Sequence, residues 1–231
     1  KVDGVTYTFP VGGATMVVGD STDISSTFTG ACAYSSFTDY TPDDCGTGSS
    51  LGVGGKGTTA SIGYAFDSGF SLAGGVSSTS TDILGNSADL IGVEAAYNAD
   101  GYGVAVAYVS DDGGASAETT YWGVNGFYTF DLASISVGFE TSDDGTEKSG
   151  YFVGLSFPEV GPGSVNVAAA TTTLFADTDT ETMIYEASYS YPMNDGMTLT
   201  PGVFVKEKDG SDDETGVCLL YTSPSPRDDE L

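Results

Sequence analysis

Apolar and polar residues alternate along most of this chain with a period of two, not 3.6. Val5, Tyr7 and Phe9 alternate with Thr6 and Thr8. Ile91, Val93, Ala95 and Tyr97 alternate with Gly92, Glu94 and Ala96. Tyr102, Val104, Val106 and Tyr108 alternate with Gly103, Ala105 and Ala107, and Trp122, Val124 and Tyr128 oppose Asn125 and Phe127. Ile135, Val137 and Phe139 oppose Ser134, Ser136 and Glu140. Tyr185, Tyr189 and Tyr191 oppose Glu186, Ser188 and Ser190. No segment offers a helical face. The pattern predicts about twelve strands, at 3–9, 14–19, 58–66, 70–78, 88–98, 101–110, 119–130, 133–142, 148–157, 163–172, 182–191 and 197–206. Most are longer than the ~5–6 residues usual in soluble sheets. They suit the ~9–11 residues with which a tilted strand crosses a bilayer.

The connections alternate in kind. One set is short and rich in turn residues: PVGG at 10–13, DSG at 67–69, NADG at 98–101, Asp131-Leu132, PEVGPG at 158–163 and PMNDG at 192–196. The other set is longer and acidic, at 20–57, 79–87, 111–118, 143–147, 173–181 and 207–214. This sidedness belongs to an outer-membrane barrel, with tight turns at one rim and larger loops at the other. Aromatic residues gather beside the short turns. Phe9 precedes the first; Phe66 and Phe70 flank the second; Tyr97 and Tyr102 flank the third. Tyr128 and Phe130 precede Asp131, Phe157 precedes PEVGPG, and Tyr189 and Tyr191 precede PMNDG. In a barrel these rings fall at one height, as a girdle at a membrane–water interface.

The alternate positions are Gly, Ala, Ser and Thr with a few acids. They are too small for a core packed to ~0.74 density and suit a water-filled lumen instead. The expected fold is therefore all-β, an antiparallel up-and-down transmembrane β-barrel whose apolar side meets lipid and whose closure satisfies every backbone group.

Charge narrows the function. Asp and Glu number 33 against 6 Lys and Arg, the net charge is −27, and His is absent. Such a chain repels phosphates, so nucleic acid is not an expected partner. Without His, Ser-His-Asp and Cys-His chemistry and most zinc sites are excluded. No catalytic residues, metal or cofactor are expected. Lys1 stands where a Met is usual, and the chain enters a strand almost at once, which reads as a fragment without its natural N-terminus. At the other end, CLLYTSPSPRD at 218–228 breaks the preceding style and resembles a translated sequencing adapter. Residues 1–217 are thus read as barrel and 218–231 as a non-native, disordered tail, with a closing strand lost.

VDGVTYTFPVGGATMVVGDSTDISSTFTGACAYSSFTDYTPDDCG at 2–46, SGYFVGLSFPEVGPGSV at 149–165 and YEASYSYPMNDGMTLTPGVFVKE at 185–207 resemble the outer-membrane porins of cyanobacteria, related to the carbohydrate-selective (OprB-type) porins. The resemblance covers 2–217. It implies a pore in the outer membrane of a Gram-negative cell, in contact with outer-membrane lipid, homotrimeric, with sugars among its cargo. It also implies an N-terminal S-layer-homology domain holding peptidoglycan, absent from this sequence.

Cys32 and Cys45 lie in the longest loop. Outside a Gram-negative cell a disulfide is the natural state for them, two free thiols being the alternative. Glu94, Asn125, Glu140, Asn166, Glu186 and Lys206 fall on the inward positions and are the pore-lining candidates, since a charge facing lipid is costly. Asp39, Asp43 and Asp44 in loop 20–57 are the candidates for narrowing the mouth. Passive permeation of small hydrophilic solutes and ions follows. The competing expectation is a secreted or surface-anchored acidic β-rich adhesin or calcium-binding protein.

Overall fold

The computed structural model describes residues 4–55, 57–78, 89–112 and 118–222. The connection at 79–87, residues 113–117, Lys56 and residues 223–231 lie outside them. Thirteen strands form one sheet in sequence order: β1 Val5–Val11, β2 Ala14–Asp20, β3 Thr58–Ala65, β4 Phe70–Ser78, β5 Asp89–Ala99, β6 Tyr102–Asp111, β7 Thr119–Thr129, β8 Ser134–Asp143, β9 Glu147–Val160, β10 Gly163–Thr171, β11 Met183–Asn194, β12 Met197–Lys206 and β13 Glu214–Thr222. Every neighbouring pair is antiparallel. β1 pairs only with β2 and β13 only with β12, so the sheet is open at both edges among the described residues.

The expected strands fall within a few residues of the observed ones. The tight turns take the conformations their glycines allow: Gly69 and Gly101 have φ of +90° and +84°, a region costly for any side chain.

One strand exceeds expectation. Residues 218–222, expected to be disordered, belong to β13, and the count is thirteen instead of twelve. The register explains this. Val217 lies opposite Val203 and Tyr221 opposite Leu199, so apolar side chains of β13 continue the outward stripe of β12.

The outward face is the apolar one. Ile62, Leu72, Val93, Val104, Val106, Trp122, Val124, Phe139, Val153 and Val203 are all exposed. No second layer covers them among the described residues. The aromatic candidates form a row on this face near the short turns. Phe70 lies opposite Tyr97, and Tyr102 opposite Tyr128. Ring centroids are 4.7 Å apart for Tyr64–Phe66, 4.6 Å for Phe70–Tyr97, 5.8 Å for Tyr97–Tyr102 and 4.8 Å for Tyr128–Phe130. Phe9 stacks on Tyr7, Phe157 and Tyr189 both lie opposite Val165, and Tyr191 is exposed beyond them. Such offset and tilted ring pairs are favourable beyond their area.

The inner face was expected to meet water. Much of it is instead covered by the chain itself. The connection between β2 and β3 folds back over the wall as a strap with two single helical turns, Ile24–Thr27 and Asp43–Gly46. Small inward residues make this possible. Ile24 lies over Gly75 and Gly92, Ser50 over Gly123, Cys45 over Gly138, Tyr34 over Gly154 and Phe37 over Gly202. Three apolar clusters result, including Ile24 with Val53, Leu90 and Val109, and Tyr34 with Phe152, Ile184 and Phe204. The small residues on this face are therefore seats for the strap as well as lumen wall.

Candidate functional site: a strap across the inner wall

The strap is fastened by the residues expected to line an open pore. Glu94 on β5 accepts N–H bonds from Thr29 (3.1 Å) and Gly30 (2.9 Å). Asn125 on β7 accepts from the Ala31 N–H at 2.9 Å and donates to the Asp44 carbonyl at 3.0 Å. Ser136 on β8 accepts from Ala33 N–H. Glu140 on β8 accepts from the Ser50 hydroxyl at 2.6 Å. Glu186 on β11 receives bonds from the N–H groups of Phe37 (2.8 Å) and Thr38 (3.1 Å) and from the hydroxyls of Tyr34 (3.1 Å), Thr38 (2.9 Å) and Thr41 (2.7 Å).

These side chains point inward, as the alternation places them, but they are not open to the lumen. Glu94, Glu140 and Glu186 are 4%, 3% and 4% exposed, and Asn125 is 2% exposed. The physical reason is the strap's own backbone. Having no strand partners, its N–H groups need acceptors, and carboxylates on the wall supply them. Asn166 is half-buried, opposite Ser156 and Ser188 on its neighbours. Lys206 is half-buried with its Nζ 4.3 Å from the centre of the Tyr40 ring, a cation–π contact.

On the strap, Asp39, Asp43 and Asp44 are exposed. The Asp44 carboxylate folds against Gly52, and this partial burial first, and the neighbouring Asp43 charge second, raise it above the usual range. The Tyr34 phenol is pushed up by burial, then by the Glu186 charge and its hydrogen bond, so it remains a donor.

Cys32 and Cys45 are joined by a disulfide, their Cα atoms 5.7 Å apart. Closing a loop of this size contributes on the order of 3 kcal/mol in the chain-entropy picture. The bond turns residues 32–45 into a ring that carries all three exposed aspartates. At its end Asp44, Cys45 and Gly46 take φ of 51°, 56° and 78°, a left-handed turn that brings the Cys45 carbonyl against Gly138. Beyond this turn a cavity of about 570 Å³ opens at the loop rim, between Asp43 and Ser49 of the strap and Tyr121, Ser142 and Lys148 of the wall. There Lys148 and Asp144 form an ion pair at 2.9 Å.

The strap's donors, Tyr34, Phe37, Thr38 and Thr41, were not foreseen from sequence. One signal was available: inward glycines recur on successive strands, which an all-solvated lumen does not require.

Comparison with known proteins agrees with the fold of the sheet. The sheet is similar to that of a porin refined at 1.8 Å resolution, with a TM-score of 0.68 and 17% identity over 94% of this chain and 80% of that one. It is similar to an anion-selective porin from Comamonas acidovorans, with a TM-score of 0.71 and 14% identity over 94% and 76% of the two chains. It also resembles a loop-deletion mutant of OmpT, an outer membrane protein of Vibrio cholerae, with a TM-score of 0.70 and 14% identity over 96% and 80%. No curated protein matches by sequence. The family described as Gram-negative porin matches residues 1–213. With nearly the whole chain covered and the apolar side of its sheet turned outward, the chain belongs to the Gram-negative porin family.

Proposed function

We propose that this chain forms the wall and the constriction of a cation-preferring, water-filled channel for small hydrophilic solutes and inorganic ions. As a Gram-negative porin it is an outer-membrane channel protein and not an enzyme. The observation that carries the cation preference is the division of its acids. The wall glutamates are spent on the strap, while Asp39, Asp43 and Asp44 face open space on it. Exposed charges of one sign raise the local concentration of the opposite ion. The anion selectivity stated for the Comamonas porin does not transfer, since the likeness at 14% identity is one of fold.

A trimer is the assembly in this reading, as in the trimer form of in-vitro folded OmpT of Vibrio cholerae. Sugars as cargo, a cyanobacterial carbohydrate-selective subtype and a peptidoglycan-binding domain rest on the sequence resemblance alone.

The test is reconstitution of the complete channel protein in planar bilayers under a salt gradient. Stepwise ohmic conductance with a reversal potential on the cation-selective side is expected. Silent bilayers at high protein, or an anion-selective potential, would refute the reading.

A further inference from the structure

We propose that Glu186 is the positioning residue that fixes where the disulfide-closed ring of the strap, and with it the three exposed aspartates, stands in the lumen. The proposal rests on the channel reading above and deepens it.

The ring of residues 32–45 is tied covalently to the wall only through the rest of the strap. Its far part must be held by other contacts. Five donors from residues 34–41 converge on the one Glu186 carboxylate: two backbone N–H groups and the hydroxyls of Tyr34, Thr38 and Thr41. Both carboxylate oxygens are engaged. The group forms no ion pair among the described residues, so these donors are what offset its removal from water. A buried carboxylate with its donors withdrawn is strongly unfavourable. The ring therefore cannot shift while Glu186 stays covered.

The other fastenings lie outside the ring or at its neck beside the disulfide: Glu94 holds Thr29 and Gly30, Asn125 holds Ala31 and the Asp44 carbonyl, Ser136 holds Ala33, and Glu140 holds Ser50. Among the described residues none of these four side chains reaches residues 34–41. At the tip, Tyr40, itself exposed, donates to Glu214 at 3.1 Å and lies under the half-buried Lys206, single contacts against the five donors on Glu186. Phe37 packs in the space above Gly202, where a Cβ would come within 2.4 Å of its ring, so this seat admits the ring in one position.

The experiment compares the complete channel protein with Glu186→Ala, Glu186→Gln and the double variant Thr38→Val/Thr41→Val. The readouts are single-channel conductance, the size cut-off for neutral polymers, and hydrogen exchange at the Phe37 and Thr38 amides. The proposal expects a higher conductance and a larger cut-off for Glu186→Ala, with loss of amide protection at both positions. Glu186→Gln keeps one acceptor oxygen and falls between. The valine pair leaves the wall untouched and shifts in the same direction, which keeps the test decisive if Glu186→Ala fails to fold. Normal conductance, cut-off and amide protection in every folded variant would overturn the proposal while leaving the channel reading intact. A wild-type protein that does not conduct would overturn both.

Discussion

Neutralising Asp39, Asp43 and Asp44 to asparagine together is expected to move the reversal potential toward anions, and by more than Glu94→Gln does. The three aspartates are exposed on the strap, whereas Glu94 lies behind it, 4% exposed, with its charge directed at the Thr29 and Gly30 N–H groups. A unit charge about 4 Å from a passing ion is worth about 1 kcal/mol even in bulk water, roughly a fivefold change in ion population per charge. Screening limits the effect, with a Debye length of about 10 Å at 0.1 M salt, so the shift is largest in dilute salt. The acid dependence has a defined sign. Asp44, whose carboxyl is raised by burial and then by Asp43, takes up its proton before an ordinary aspartate as pH falls. The contribution of Asp44 to the cation preference is therefore lost as pH falls, at a higher pH than an ordinary aspartate would lose it. Reversal potentials of the triple variant and Glu94→Gln in the same gradient check this. Equal shifts in the two would return the selectivity to the wall.

The second large effect is steric. Gly138→Ala is expected to lift the disulfide ring from the wall, raising conductance and exposing residues 32–45 to protease. A Cβ at Gly138 would stand 1.7 Å from the Cys45 carbonyl oxygen and 2.9 Å from its carbon, and these are backbone atoms without rotamers to change. The backbone at Asp44, Cys45 and Gly46 is already left-handed, and the space above Gly46 is closed by Phe152 at 2.9 Å. Overpacking of this kind costs typically ~1–3 kcal/mol. Displacing the strap is the way to avoid that cost without bending β8. Gly74→Ala is the control, because its Cβ would point to the outward face and meet only an ordinary contact at 3.4 Å. Its conductance should match the parent. A Gly138→Ala channel with parental conductance and protease resistance would mean that the strap is not seated by the wall glycines.

The wall itself was legible because the alternation has a single cause. Val93, Val104 and Val124 are apolar where the sheet turns outward, and Glu94, Ala105 and Asn125 are small or polar where it turns inward. Tight turns and their rings marked the rim. The strap was legible only as a long acidic loop with two cysteines. Residues 21–57 have no period to read, because their backbone N–H groups turn to scattered side chains on four strands instead of to a ladder. Glu186 looks in sequence like any lumen acid between Tyr185 and Ala187. What distinguishes it is a set of donors roughly 150 residues away, a separation no local pattern encodes. The end of β13 was missed for a different reason. Its composition is unlike the rest of the chain, yet Leu219 and Tyr221 fit the register that β12 offers.

The single tryptophan gives the most direct measurement of which side of the sheet meets lipid. Trp122 is 55% exposed on the outward face of β7, its ring 4.7 Å from that of Tyr108. In vesicles containing phospholipids brominated in the upper acyl chain, its fluorescence should be strongly quenched, while aqueous iodide should leave it nearly unchanged. Quenching by iodide with no effect from brominated lipid would place the apolar side of this sheet away from the membrane and contradict the account.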